Sequence, residues 1–112
     1  MRLPNADQAI VDIKKLSDYS LNALHPEGKH KARVFATTLG FSASDARRLR
    51  ALILTAISTE EATRGVADEH GERYIVDFAT EGLRGMVNIR TAWIIDRGEI
   101  APRLVSCYVK RK

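Results

Sequence analysis

The sequence predicts an α+β domain with N-terminal helices packed on one face of a three- to four-stranded antiparallel sheet. Three observations predict it. Apolar residues before residue 60 recur at spacings of three and four, those after Arg64 alternate with period two, and the segments between the alternating runs are short and contain glycine. A run of helices followed by a run of strands separates the two kinds of element into layers.

The first ten residues, with Pro4 and Asn5, resist regular structure and are expected to form an arm. Asp12 can cap a helix that turns Ile13, Leu16, Tyr19 and Leu24 toward the core, and Pro26 with Gly28 then breaks it. A second helix is predicted over residues 29–39: Ala32, Phe35, Ala36 and Leu39 share one face, and Gly40 stands where a left-handed residue closes a helix. Ser42 or Ser44 opens a third helix. Its Leu49, Leu52, Ile53, Ala56 and Ile57 make the strongest amphipathic pattern in the chain, leaving Arg47, Arg48 and Arg50 on outer faces.

A weaker strand is expected over residues 61–66, before a turn at 68–71. Residues 73–79 then alternate, with Tyr74, Val76 and Phe78 on one side, and residues 86–96 place Val87, Ile89, Thr91, Trp93 and Ile95 on one side. Residues 103–110 form the last strand, and the connections 81–85 and 97–102 have hairpin lengths. The opposite sheet face carries Asp77, Asn88 and Arg90, with either Ser106 and Tyr108 or Arg103 and Cys107 beside them. Asp77 and Arg90 are expected to pair across neighbouring strands. The division is therefore one domain over 1–112, with an arm at 1–10, a helical part at 11–60 and a sheet at 61–110.

At 112 residues, 45% hydrophobic and 29% charged, the chain can bury a single core, and its composition argues against disorder. The net charge of +4 and pI near 9.5 suit an anionic partner. Six basic residues (Lys29, Lys31, Arg33, Arg47, Arg48, Arg50) face one acidic residue, Asp45, between positions 29 and 50. The basic tail Lys110, Arg111 and Lys112 is expected to be solvated. Cys107 is alone, which excludes an internal disulfide and favours a reducing, cytoplasmic setting. No apolar run approaches the roughly 20 residues of a membrane helix, and no signal core opens the chain.

Residues 21–35, LNALHPEGKHKARVF, concentrate the chemistry: His25, Lys29, His30, Lys31 and Arg33 surround a turn that opens onto a helix. An imidazole can take a proton near pH 7 while lysine and arginine hold a phosphate, which is the minimum that RNA cleavage without a metal needs. The structural alternative is a solvated helix start. His30 is the candidate base, or else a ring that bonds a backbone carbonyl. Lys31 and Arg33 are candidates to hold the phosphate, and His25 either contacts substrate or stiffens the loop before Pro26. Trp93 can stack on an unpaired base or belong to the core. Tyr108 offers a hydroxyl to phosphate or a wet tip on the sheet. Cys107 has no activating neighbour in sequence, and His25 with His30 lacks the further ligands a zinc site needs, so no metal or other cofactor is expected.

The segments LPNAD, HPEGKHKARVF, RYIVDF, RTAWII and PRLVSCYV, taken together from Leu3 to Val109, resemble an uncharacterised bacterial domain family. That family occurs as small stand-alone proteins and at the ends of phage-related and polymorphic-toxin polypeptides. Its layout is similar to that of the metal-independent ribonuclease toxins grouped with barnase, colicin-type tRNases and RelE-type mRNA nucleases. The resemblance implies that His30 and Lys31 on a helix face Arg90, Thr91, Trp93 and Tyr108 on strands; catalysis is then expected of His30, Lys31, Arg90, Thr91 and Tyr108, and substrate binding of Trp93 together with His25 and Arg33. The sequence departs from barnase-like enzymes in showing no evident strand glutamate or second histidine as acid/base partner, since His70 falls in a turn. The expected activity is RNA cleavage through 2′-hydroxyl attack, with RNA and a small antitoxin or immunity protein as partners and no membrane. The alternative is a non-catalytic module that binds nucleic acid or protein through the basic helix surface.

Overall fold

A computed structural model describes residues 1–110 of the chain. Three helices precede a four-stranded antiparallel sheet: α1 (Ile13–Lys15), α2 (Lys29–Leu39), α3 (Ala46–Ile57), then β1 (Ala62–Asp68), β2 (Gly71–Gly82), β3 (Gly85–Asp96) and β4 (Arg103–Val109). The strands lie in chain order, β1-β2-β3-β4. Central to the sheet is the β2–β3 hairpin, paired without interruption from Gly71↔Asp96 to Gly82↔Gly85. Its loop is the dipeptide Leu83-Arg84, and Gly85 takes φ 131°, a conformation side-chain-bearing residues avoid. The weaker strand is longer than the sequence suggests, and its register slips between Arg64 and Ala67.

The N-terminal helix is a correction. Asp12 caps it as expected, accepting from the Lys14 N–H at 3.0 Å. After one turn, however, the chain widens into a π-helical turn over Leu16–Ser20, closed by Leu21 N–H on Leu16 O at 2.8 Å. The helix then ends at Ser20 instead of running on to Pro26, so Leu16 and Leu21 are buried while Leu24, in the turn beyond it, is 90% exposed. Nor are residues 1–10 a free arm. Leu3 is buried, Met1 O accepts from Ala62 N–H at 2.6 Å, and Ile10 bridges to the sheet through Pro102 and Leu104.

α2 starts at Gly28, where a Cβ would stand 2.2 Å from Tyr19 O, so only glycine fits the turn. It ends at Gly40, φ 73°, with Phe41 N–H reaching back to Phe35 O at 3.3 Å. At the next start Ser42 N–H donates to the Asp45 carboxylate at 2.9 Å, and α3 buries Leu49, Ile53, Ala56 and Ile57. These residues, with Phe35 of α2, share one core with Val76, Ile89, Trp93, Leu104 and Cys107 of the sheet. The alternation of β3 thus sends Thr91 and Trp93 to the helices and Arg90 to the opposite face.

Candidate functional site

The turn 25–28 is built around the His25 ring. Its Nδ1 accepts from the Glu27 and Gly28 N–H groups, both at 3.0 Å, which puts the proton of the neutral ring on Nε2. In this arrangement His25 can donate a hydrogen bond but cannot serve as a base. The ring meets Tyr19 edge-on, with centroids 4.7 Å apart. The π-helical turn after α1 presents Tyr19 here.

One turn into α2, the Lys31 ammonium lies 5.1 Å from the Tyr19 ring centroid and 5.3 Å from that of Tyr108. A cation between two aromatic faces is held by both ring quadrupoles without a carboxylate. Tyr108 stands on β4 opposite Arg90 of β3. Arg90 makes two parallel bonds to Asp77, Nε to Oδ1 and Nη2 to Oδ2, each 2.9 Å, and Lys110 Nζ reaches Asp77 Oδ2 at 3.3 Å. The Asp77 hydrogen bonds hold the guanidinium still further above its ordinary pKa, with a lesser contribution from Tyr108. In return Arg90, and then Lys110, hold the Asp77 carboxyl below the usual range, against a partial desolvation that pushes it up. A shallow depression of about 410 Å³ opens beside Asp77 and Arg90 toward Thr63 and Ile75.

Of the residues the sequence singled out, Lys31, Tyr108 and Arg90 come together, and His25 joins them through Tyr19. His30 and Arg33 are exposed on α2, and among the described residues neither side chain hydrogen-bonds a partner. His30 is the immediate neighbour of Lys31 around the helix, about 100° away.

Thr91 and Trp93 do not join the site. Both are buried, with Trp93 only 1% exposed; the Thr91 hydroxyl donates to Val76 O at 2.7 Å and accepts from the indole N–H at 2.8 Å. Their polar atoms are satisfied inside the core, and the face they occupy is turned away from Arg90. Assigning catalysis to Thr91 and base stacking to Trp93 is therefore corrected. Cys107 is buried between these layers, and its thiol is pushed up to about 12 by that burial although Lys31 pulls the other way.

Sequence reasoning missed Tyr19, which it sent to the core, and Lys110, which it assigned to a solvated tail. Period two from Tyr108 would have placed Lys110 on the Arg90 face; nothing in the sequence announces the π turn that places Tyr19. Arg111 and Lys112, the rest of that tail, lie outside the described residues. A family model described as a domain of unknown function, DUF6883, matches residues 2–111. No curated protein and no solved structure matches the chain.

Proposed function

The chain belongs to the DUF6883 family of domains of unknown function, and from that premise we propose that it is a toxin-like ribonuclease that cleaves RNA without a metal. The observation that carries the reading is the meeting of a helix cation and a sheet guanidinium at one tyrosine: Lys31 lies over the Tyr108 ring and Arg90 stands opposite it in register. Two cations fixed by partners before substrate arrives are the preorganised charge that phosphate chemistry requires.

In this mechanism His30 takes the proton of a ribose 2′-hydroxyl as that oxygen attacks phosphorus. The phosphorus–5′-oxygen bond breaks, leaving a 2′,3′-cyclic phosphate, and the departing oxygen is protonated from solvent. Lys31 and Arg90 stabilise the charge that builds on the phosphate, and Tyr108 adds a hydrogen bond. His25, its Nδ1 already occupied, donates from Nε2 to a phosphate oxygen. Arg33 tracks the backbone further along. The proposed setting is the cytoplasm, with a small neutralising protein as partner.

The test is incubation of purified protein with diverse RNAs and identification of the new ends. Cyclic phosphate ends are expected, with a rate loss of about 100-fold or more for His30→Ala. Intact RNA, together with growth inhibition that His30→Ala does not relieve, overturns the reading.

A second reading, a binding module without turnover, is favoured by the free cations Lys29, Arg33 and Arg47 on the helices, which hold no carboxylate among the described residues. A binder keeps its affinity in His30→Ala and loses it, with a reduced salt dependence, in Lys31→Ala and Arg33→Ala.

A further inference from the structure

β2 outruns β1. The β1–β2 register ends at Ala62↔Val76, whereas β2 stays paired with β3 to Gly82↔Gly85. In a hairpin with a two-residue loop the closing pair 82/85 exchanges ladder hydrogen bonds, as do 80/87 and 78/89. The N–H and C=O groups of Ala79 and Glu81 therefore point away from β3, and among the described residues nothing hydrogen-bonds them there.

A groove runs along this open edge, between β2 and α3. It consists of two depressions, of about 420 and 350 Å³, that share Arg48, Leu52 and Thr80. Ala56 and Phe78 line the first; Phe41 and Leu83 line the second, and Leu83 remains 65% exposed.

We propose that this edge receives an extended strand from a partner protein, in which apolar side chains alternate with basic ones. Backbone pairing with Ala79 and Glu81 supplies the attachment. Residues of the incoming strand opposite Phe78 and Gly82 point to the helix side, one into each depression, and are spaced about 13 Å apart as four strand positions require. Those opposite Ala79 and Glu81 point to the other face, where a lysine or arginine meets the Glu81 carboxylate.

Charge selects a foreign strand over a second copy of this chain. Glu60 borders the groove and Glu81 sits on the edge itself, and a second copy brings the same carboxylates. In an antiparallel pairing of two copies Glu81 meets Asp77 when the pairing is centred on Ala79, another Glu81 when it is centred on Glu81, and Ala79 when it is centred on Thr80, so none of these registers gives it the cation that a foreign lysine or arginine supplies. The edge lies on the β1 side of the sheet and Tyr108 on the β4 side, so an added strand leaves the Lys31–Tyr108 cluster uncovered. Strand addition here is independent of any nuclease activity.

The test uses an end-blocked peptide of about seven residues alternating lysine and valine, titrated into isotope-labelled full-length protein. The Ala79 and Glu81 amide signals are expected to shift, and their hydrogen exchange to slow by about tenfold or more. Ala79→Pro deletes one edge donor that faces away from β3, so it is expected to weaken the peptide by about tenfold while the β2–β3 hairpin survives. The same peptide methylated on alternate backbone nitrogens should not bind. Equal binding of the methylated peptide, perturbations confined to other elements, or self-association of the free protein through these two amides overturns the proposal.

Discussion

On the sheet, Arg64, Arg73, Arg90 and Arg103 each hold a carboxylate within 3.0 Å, whereas on the helices Lys29, Arg33 and Arg47 hold none among the described residues. Residues 11–60 carry eight basic and five acidic side chains; residues 61–110 carry seven and eight. The sheet thus spends its cations on neighbouring strands, where each pair favours one register over a slipped one. The helical layer keeps its cations unspent. Lys31 is intermediate, with no carboxylate but two aromatic rings, and it reaches the sheet as Lys15 does, whose ammonium meets Val105 O at 3.4 Å. Among the described residues, an anionic ligand gains attraction that no carboxylate offsets from the helical side and from Arg84 and Arg97 in the turns of the sheet, and Arg90 contributes only to the extent that a phosphate can share it with Asp77.

If the sheet is the stabilising layer, its largest single contribution is Trp93. Trp93→Ala opens a cavity in the core and strips the Thr91 hydroxyl of its indole donor, and a loss of about 3–5 kcal/mol is expected. Equilibrium urea unfolding measures it. A loss below about 1 kcal/mol would mean that the layer assignment is wrong.

A smaller effect tests the ion pairs themselves. Arg partners hold Asp68, Asp77 and Asp96 below the usual carboxylate range, each first through a side-chain hydrogen bond from its arginine. A depressed folded-state pKa adds stability above the unfolded carboxylate value, near 4, and that stability is lost as pH falls through the folded value. Acid should therefore destabilise the protein progressively below about pH 4, and Asp77→Asn should flatten part of that decline. At neutral pH the same variant leaves Arg90 and Lys110 without their shared partner; because Asp77 is about one-third exposed, water screens the loss to roughly 1 kcal/mol. An unchanged acid profile for Asp77→Asn contradicts a role for this pair in stability.

Those pairs also mark how far the sequence could be read. Period-two alternation gave the strands, their faces and the Asp77–Arg90 pair, because alternation depends only on backbone geometry. Helical spacing gave α2 and α3, whose glycine and capping signals lie in the chain itself. The π turn at Leu16–Ser20 was not legible, since one inserted residue leaves no compositional mark yet turns Tyr19 onto Lys31, and the helix ends there and leaves Leu24 in an exposed turn. Thr91 and Trp93 show a further limit: alternation put them on the apolar face, and the expectation drawn from fold resemblance then placed them in a site that lies on the other side of the strand.

The smallest expected change in stability comes from the helical cations, and it is the sharpest test of the difference between layers. Arg33→Glu and Arg47→Glu remove no ion pair among the described residues, so each should alter stability by no more than about 0.5 kcal/mol. Both should nevertheless weaken RNA association, and the slope of log affinity against log salt should fall by roughly 0.7 for each phosphate that is no longer neutralised. Arg64→Glu is the matched control on the sheet, because its guanidinium already holds Glu72 at 3.0 Å. Reversing it makes a like-charge pair, so stability should fall while RNA affinity holds. Should Arg64→Glu weaken RNA binding as much as Arg33→Glu does, paired and unpaired cations would be acting alike, and the phosphate-facing surface could not be assigned to the helices.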